Sequence, residues 1–482
     1  MFVASLASVV ALFVFAVWIV QSNAIDIIGL DMNVVWSIQK MLLGSPLYTP
    51  PESPPYDITQ YSPLYYLCVF GLAKVLRIVG DDALRVTVVA RAFSVITAVV
   101  LSALCYRFMD VRLGASRRTS FIGTAFILAA TSPWYFTARP DGLAALFAVA
   151  SFYFVSTHTT DSRWRAALIA AGVCAVCAVL SKQTGIYALV VLLTFLATNR
   201  AWRAIGIVAA AATLSALMMW FDSRLLGTAL WTNIVEGVNN GISWRAGLLN
   251  AYGPFFYWFA PLLACSLVAI FSLLPRTPPI DRLVALAAAA TLTIGALTAL
   301  KRGSSLNYFN DFIVLGTFAV VRAFFAPNAR DVTPGPADSR IVSALAIYLL
   351  GFFFVRTSHE LYAYYLYHRA SPETRLTSQA PAVEFVRRSL RPGATVIGFS
   401  AGLSNMLPRS MIVPQQELAQ IAHDRRLVDY SRFRTEVARG QIEFLITRRG
   451  EKPRPLVGAT FSDFKPVREF RFYSVYGRRF AR

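Results

Sequence analysis

A succession of apolar runs constrains this chain more than any other feature. They cover residues 3–20, 86–106, 119–136, 142–158, 166–180 and 186–198, then 204–220, 255–274, 283–300, 312–325 and 341–355. A membrane-spanning helix needs roughly 20 apolar residues, with a range of about 17–25, so the shorter runs must extend into their flanks. Charge supports the membrane reading. Only 15% of the 482 residues are charged and the mean hydropathy is +0.53, whereas soluble domains carry about 25% charged residues. The net charge of +20 would suit a nucleic-acid binder, but its distribution argues against one. Residues 357–482 hold 21 Lys/Arg and 11 Asp/Glu, against 25 and 15 in the first 356. This contrast predicts a membrane body over 1–356 and a soluble domain over 357–482. The expected fold is mainly α: a polytopic transmembrane bundle of about 11 spans with a C-terminal extracytoplasmic α/β domain.

The short loops set the orientation. Arg107, Arg112, Arg117 and Arg118 share one loop; Arg163 and Arg165, Arg200 and Arg203, Arg276 and Arg282, and Arg330 and Arg340 mark four more. All five face one side if the eleven runs cross and residues 61–79 do not. By the positive-inside rule that side is the cytoplasm. The N-terminus is then cytoplasmic and the C-terminal domain outside. Run 3–20 lacks the basic start and small-residue cleavage site of a signal peptide, so it reads as a retained first helix. Residues 61–79 begin with Tyr61, Pro63, Tyr65 and Tyr66 and end near Lys74 and Arg77, which suits an amphipathic helix in the outer interface. A twelfth span is the alternative. Cys68, Cys105, Cys174, Cys177 and Cys265 suggest neither a disulfide framework nor a zinc site, because the one C-x-x-C has no second pair or histidine near it.

The outer side then collects residues 21–60, residues 221–254 and the C-terminal domain. In the first of these, Asp31 is followed by Val34, Val35, Ile38, Met41 and Leu42 at helical spacing, with Gly44 as a stop. Asp31 would stand at the start of that helix, where the dipole favours a carboxylate. It reads either as a helix cap or as a reactive acid. Asp57 and Glu52 are the alternative acids, and Asp26 reads as a membrane-edge residue.

Several segments, taken in order, carry a resemblance. Asp31 is followed by Leu42-Leu43-Gly44-Ser45-Pro46-Leu47-Tyr48 and by Tyr61-Ser62-Pro63-Leu64-Tyr65-Tyr66. Then come Ala90-Arg91-Ala92-Phe93-Ser94, Arg139-Pro140-Asp141 and Ser181-Lys182-Gln183-Thr184-Gly185. Together they resemble the GT-C membrane glycosyltransferases, in particular the bacterial family 39-like branch of protein O-mannosyltransferases and lipid A aminoarabinose transferases. The resemblance implies an inverting transfer of a sugar from a polyprenyl-phosphate carrier to an extracytoplasmic lipid, glycan or protein. It makes Asp31 the general base on the acceptor hydroxyl, which requires hydrogen-bond reach of the attacking oxygen. The leaving group is a lipid phosphate, so cations should hold its developing charge. It implies a bacterial inner-membrane location. The first loop lacks a paired-acid ligand set, so no metal or other cofactor is expected.

Independently, the topology leaves few basic residues outside: Arg91, Arg139, Lys182, Arg224, Arg245, Lys301 and Arg302. Against the positive-inside trend these invite a functional reading. As a set they suggest a phosphate-binding cluster, with Tyr61 and Asp141 beside it. Taken singly, Arg139 could merely pair with Asp141, Lys182 could snorkel to the interface, and Lys301 and Arg302 could form a solvated turn. Two departures stand out. Asp31 is followed by Met32 where many relatives have a second acid. Gln60-Tyr61-Ser62-Pro63 stands where many have Lys or His with Pro-Pro.

The C-terminal domain alternates helices at 380–390, 417–423 and 430–439 with strands at 395–399, 411–413 and 444–447. It contains no Gly-rich phosphate loop or triad, and His423 reads as a surface residue. Acceptor recognition or support is its expected role. The rival classes are a lipid-linked-sugar flippase or other transporter, usually built from inverted repeats, and a non-catalytic envelope assembly protein.

Overall fold

The computed structural model describes residues 1–24, 27, 31–157, 164–220, 226–276, 278–326, 336–370, 375–399 and 402–478. Asp26, His158, Arg163, Arg224 and Arg330 therefore lie outside the described residues. The chain is mainly helical with one small sheet near its C-terminus.

The apolar runs form helices that continue even through Pro133 and Pro261. These are α1 (Phe2–Gln21), α4 (Ala83–Arg107), α5 (Arg117–Tyr135), α6 (Asp141–Val155), α7 (Trp164–Ser181), α8 (Ile186–Thr198) and α9 (Trp202–Trp220). After them come α10 (Gly253–Leu273), α11 (Pro279–Ala299), α12 (Asn310–Phe324) and α13 (Pro336–Ala370). Asp82 caps α4 by accepting from the Arg85 amide at 3.0 Å, and Ser116 caps α5 through Thr119 at 3.2 Å. Among the described residues, five segments have the length and apolarity to cross a membrane: Phe2–Gln21, Ala83–Arg112, Trp164–Ser181, Trp244–Leu273 and Pro279–Ala299. Helices α6, α8 and α12 have only 15, 13 and 15 residues. Helix α12 is buried along almost its whole length, enclosed by α5, α10 and α11. Helix α13 runs through residues 356–357, where the charge density changes.

Two shorter helices precede α4. Helix α2 (Asp31–Leu42) has Asp31 in its first turn and Lys40 in its last, both matched to the dipole. Gly44, at φ +92°, then turns the chain in a conformation that glycine adopts freely. Helix α3 (Pro63–Val75) has 13 residues, about 20 Å at about 1.5 Å per residue, the same length as α8, so length alone does not separate it from the short helices of the bundle.

The Arg-rich loops gather at one end of the bundle. Arg107 donates to the Tyr153 hydroxyl at 3.0 Å, and Arg112 lies over the same ring at 4.9 Å. Arg282 reaches Asn199 at 3.1 Å. Buried Asp281 accepts from Arg322 at 2.5 Å and pairs with Arg276 at 3.8 Å, while Arg322 also donates to the Leu113 carbonyl.

The C-terminal domain sits at the opposite end, on the first loop. Helix α14 (Leu376–Ser389) leads into a four-stranded sheet in the order β1-β2-β4-β3, where β1 is Thr395–Gly398, β2 Ile442–Arg448, β3 Phe464–Glu469 and β4 Tyr473–Arg478. Strands β1 and β2 are parallel; β4 is antiparallel to both β2 and β3. Helices α15 (Gln416–Asp424) and α16 (Ser431–Ala438) complete it. Two sequence expectations are corrected here. Residues 411–413 form no strand, only an isolated bridge from Met411 to Val396, because Pro408 and Pro414 bracket a stretch too short to pair further. The β3–β4 hairpin was not expected: charged Lys465, Arg468, Glu469 and Arg478 obscure its alternation, and β3 is an exposed edge.

A buried amide pair joins the domain to α2. The Asn405 side chain donates to the Met32 carbonyl at 3.1 Å and to Gln39 Oε1 at 2.9 Å. Gln39 Nε2 returns to the Asn405 carbonyl at 2.9 Å and to the Gly80 carbonyl at 2.7 Å. Around it, Tyr56 packs edge-on against Phe433 and Arg409 pairs with Asp81 at 2.9 Å. Truncating Asn405 would strand buried polar groups on α2, at a cost of about 1–3 kcal/mol. Asn405→Ala is therefore expected to lower the thermal midpoint of the detergent-purified protein and to hasten protease release of the C-terminal domain. An unchanged midpoint and cleavage rate would show that the pair does not hold the domain.

Candidate active site

Three chain reversals meet at the end of the bundle beneath the C-terminal domain: α5 to α6, α7 to α8, and α11 to α12. Each brings a polar side chain to one point. Asp141, the first residue of α6, accepts from Arg139 Nε at 3.2 Å, from Lys182 Nζ at 2.7 Å and from Asn307 Nδ2 at 3.1 Å. All four residues are buried. The reversal carrying Lys182 depends on Gly185, which lies against the α7 backbone at Ala178; a Cβ there would collide with that carbonyl. Arg139 also donates from Nη2 to the Tyr61 hydroxyl at 3.2 Å, and the Lys182 ammonium lies 5.4 Å from the Tyr308 ring centre.

Next to this cluster is a cavity of about 590 Å³, lined in part by Tyr61, Arg139, Lys182, Lys301, Arg302 and Tyr308. The pairing expected of Arg139 with Asp141 does occur, and Lys182 pairs with the same acid rather than snorkelling, yet both side chains still reach the cavity wall. Neither Lys301 nor Arg302 has an ion-pair partner among the described residues. A short bridge between Ile242 and Lys301 holds that turn. Burial of Arg139 works against its charge, but the Tyr61 phenol and the carboxylates of Asp141 and Asp31 more than offset it, so its pKa is raised. Lys301 has no such support. Burial first, and then the neighbouring Lys182 ammonium, push it down to about 8.

Asp31 and Arg91 do not line this cavity. They pair with each other at 3.4 Å, both fully buried. Arg91 also donates to the Ser22 and Ala24 carbonyls at 2.9 Å each, so it fixes the exit of α1. Asp31 remains within electrostatic range of Arg139, which does face the cavity. Asp57 is elsewhere too: fully buried, it pairs with Lys40 at 2.7 Å and accepts from Thr49 at 2.5 Å. Arg245 is exposed and outside the wall. Among the described residues no group of three or more His, Cys, Asp or Glu could hold a metal ion. The wall also includes Glu417, Leu418 and Ile421 of α15. Their helix was legible in the sequence; its docking over the cavity left no local signal.

The sequence model of the dolichyl-phosphate-mannose-protein mannosyltransferase family matches residues 68–221. No protein of curated function matches the sequence. The fold is similar to that of ArnT from Cupriavidus metallidurans, solved bound to undecaprenyl phosphate: TM-score 0.64, 14% identity, covering 98% of this chain and 97% of that one. The same protein in its apo state gives a TM-score of 0.58 at 13% identity, over 97% and 96% of the two chains. Archaeal oligosaccharyltransferase AglB from Archaeoglobus fulgidus, solved with an inhibitory peptide and a dolichol-phosphate, gives 0.53 at 13% identity, over 92% and 69%. These bear out the GT-C, family 39-like resemblance read from the sequence.

A lysine depressed to about 8 is charged at pH 7 and mostly neutral at pH 9. Anion binding that uses it must therefore weaken as pH rises through that value. With sulfate as probe, whose own charge stays constant, affinity is expected to fall roughly tenfold from pH 7 to pH 9. Lys301→Met should weaken binding at pH 7 and remove the step. Calorimetric titration measures both, and a flat wild-type profile would exclude Lys301 from the anion site.

Proposed function

We propose that this protein is an inverting GT-C glycosyltransferase that moves a sugar from a polyprenyl-phosphate carrier to an extracytoplasmic acceptor. The observation that carries this reading is the convergence of Arg139, Lys182, Lys301 and Arg302 on one cavity beside Tyr61. Asp141 offsets one of the two cations that grip it, so the wall keeps a positive excess facing the cavity. Such an arrangement suits a phosphate whose charge grows as the glycosidic bond breaks. ArnT and AglB were solved with undecaprenyl phosphate and a dolichol-phosphate respectively, which supports a membrane-delivered donor of that class.

In this reading eleven helices cross a bacterial inner membrane, with the N-terminus in the cytoplasm and the C-terminal domain outside. The Arg-rich loops at one end, and the cavity with the C-terminal domain at the other, support that orientation. Lys301 and Arg302 receive the phosphate. Arg139 and Lys182, braced by Asp141, form the inner wall. Arg91 serves by fixing Asp31 and the end of α1 rather than by touching phosphate. Asp31 is assigned the base because it starts α2 and matches the first-loop acid of the resembling family; buried against Arg91 and outside the cavity wall, it must turn towards Arg139 to reach an acceptor. Asp57 braces the first loop through Lys40. No metal or other cofactor takes part.

The deciding experiment is mass spectrometry of envelope glycans and lipids from cells with and without the protein, paired with undecaprenyl phosphate binding by the purified chain. Loss of one glycan modification and measurable binding are expected. Asp31→Asn should reduce transfer by roughly 10²–10⁴-fold, the range of a lost general base, while undecaprenyl phosphate binding stays within about twofold. Undiminished transfer would remove Asp31 from the base role. Absence of undecaprenyl phosphate binding by the wild type would overturn the donor class.

A further inference from the structure

The cavity has one wall that the transmembrane bundle does not supply. Glu417, Leu418 and Ile421 face it from α15, at the spacing of one helical face. Helix α15 is held firmly there. Leu418, Ala419 and Ala422 are buried in the core of the C-terminal domain, Gln416 donates to the Gly398 carbonyl, and Gln415 reaches the Asn33 carbonyl of α2 at 3.4 Å.

Glu417 is the one carboxylate among the described residues of the cavity wall. It has no ion-pair partner among the described residues, although Arg139, Lys182, Lys301 and Arg302 share the cavity with it. An unneutralised carboxylate is an odd neighbour for a phosphate. At about 4 Å, two like charges near a protein surface repel strongly enough to weaken binding by tenfold or more. Phosphate bound by the cationic wall must therefore lie away from Glu417, and whatever reaches Glu417 cannot itself be an anion. The remaining wall is rich in uncharged donors and acceptors, among them Gln60, Gln183, Asn240 and Ser305, which suits hydroxyl-bearing sugar.

We propose that Glu417, supplied by the C-terminal domain, is a specificity residue: it faces the hydroxyl-bearing end of the bound headgroup and excludes a second anionic group there. The cavity then takes a single phosphate joined to an uncharged sugar and rejects acidic sugars and bisphosphates. This rests on the function proposed above and adds the charge class of its substrate.

The test uses the full chain in lipid nanodiscs. A hexose 1-phosphate and the matching hexuronic acid 1-phosphate each compete against undecaprenyl phosphate. Wild type is expected to favour the neutral sugar by roughly tenfold. Glu417→Gln should shrink that preference to about twofold or less, with undecaprenyl phosphate affinity unchanged. Glu417→Asp should keep the preference. Equal discrimination by wild type and Glu417→Gln overturns the proposal. So does a roughly tenfold tightening of undecaprenyl phosphate in Glu417→Gln, since that places Glu417 at the phosphate. Failure of both sugar phosphates to compete, with undecaprenyl phosphate still bound, overturns it while sparing the proposed function. Failure of undecaprenyl phosphate itself to bind overturns both.

Discussion

The grip of Asp141 on Arg139, Lys182 and Asn307 is the constraint on which the candidate site depends. Three chain reversals, far apart in sequence, have no apolar reason to meet at this end of the bundle. A buried carboxylate gives them one. Taking charges out of water is costly, and a buried acid left alone would cost several kcal/mol. Two cations and an amide at 2.7–3.2 Å satisfy it. The arithmetic of charge matters as much as the geometry. One acid holding two cations leaves an excess, and that excess sits on the cavity wall.

The other end of the bundle uses the same chemistry for a different purpose. There Asp281 holds Arg322 and Arg276, Arg107 and Arg282 reach Tyr153 and Asn199, and Arg322 also donates to the Leu113 carbonyl, while Arg117, Arg118, Arg200 and Arg203 are exposed. No large cavity accompanies them among the cavities described, and the one nearby, lined by Ile122, Phe126 and Leu262, is apolar. Among the described residues, the arginines around Asp281 are taken up by structure, whereas Lys301 and Arg302 line the cavity without an ion-pair partner. Net charge alone could not separate these cases, because both ends are basic.

What was legible in the sequence follows the range of the interactions concerned. Helix α8 was readable to the residue, and α2 with Asp31 at its start, because apolarity and spacing are local properties. The basic residues expected outside stood out as departures from a one-sided charge rule, and of that set Arg139, Lys182, Lys301 and Arg302 share one cavity wall. Their partners were not. Lys182 pairs across 41 positions and Asn307 across 166, and nothing local encodes such meetings. Arg91 shows the cost of reading type without surroundings. A cation near the end of a span suggests a phosphate ligand, but the carbonyls at the end of α1 and just beyond it, of Ile19, Ser22 and Ala24, take their donor from Arg91. The β3–β4 hairpin was missed for a related reason: an exposed edge strand rich in charge has no apolar alternation to see.

The position of the C-terminal domain ties these threads together. Asn405 and Gln415 bond to the carbonyls of Met32 and Asn33, the two residues that follow Asp31. The same domain presents Glu417 to the cavity two residues after Gln415. One rigid body thus touches both the start of the helix that bears the proposed base and the wall opposite the cations. Neither contact is a surface ion pair that salt would dissolve; the first is a buried amide network, and the second is set by a helix whose apolar face is packed in its own core. A domain that served only as a tether would need neither. On the function proposed above, its placement reads as a completed enclosure: the bundle provides charge for a phosphate, and the domain provides the wall against which the rest of the headgroup is measured.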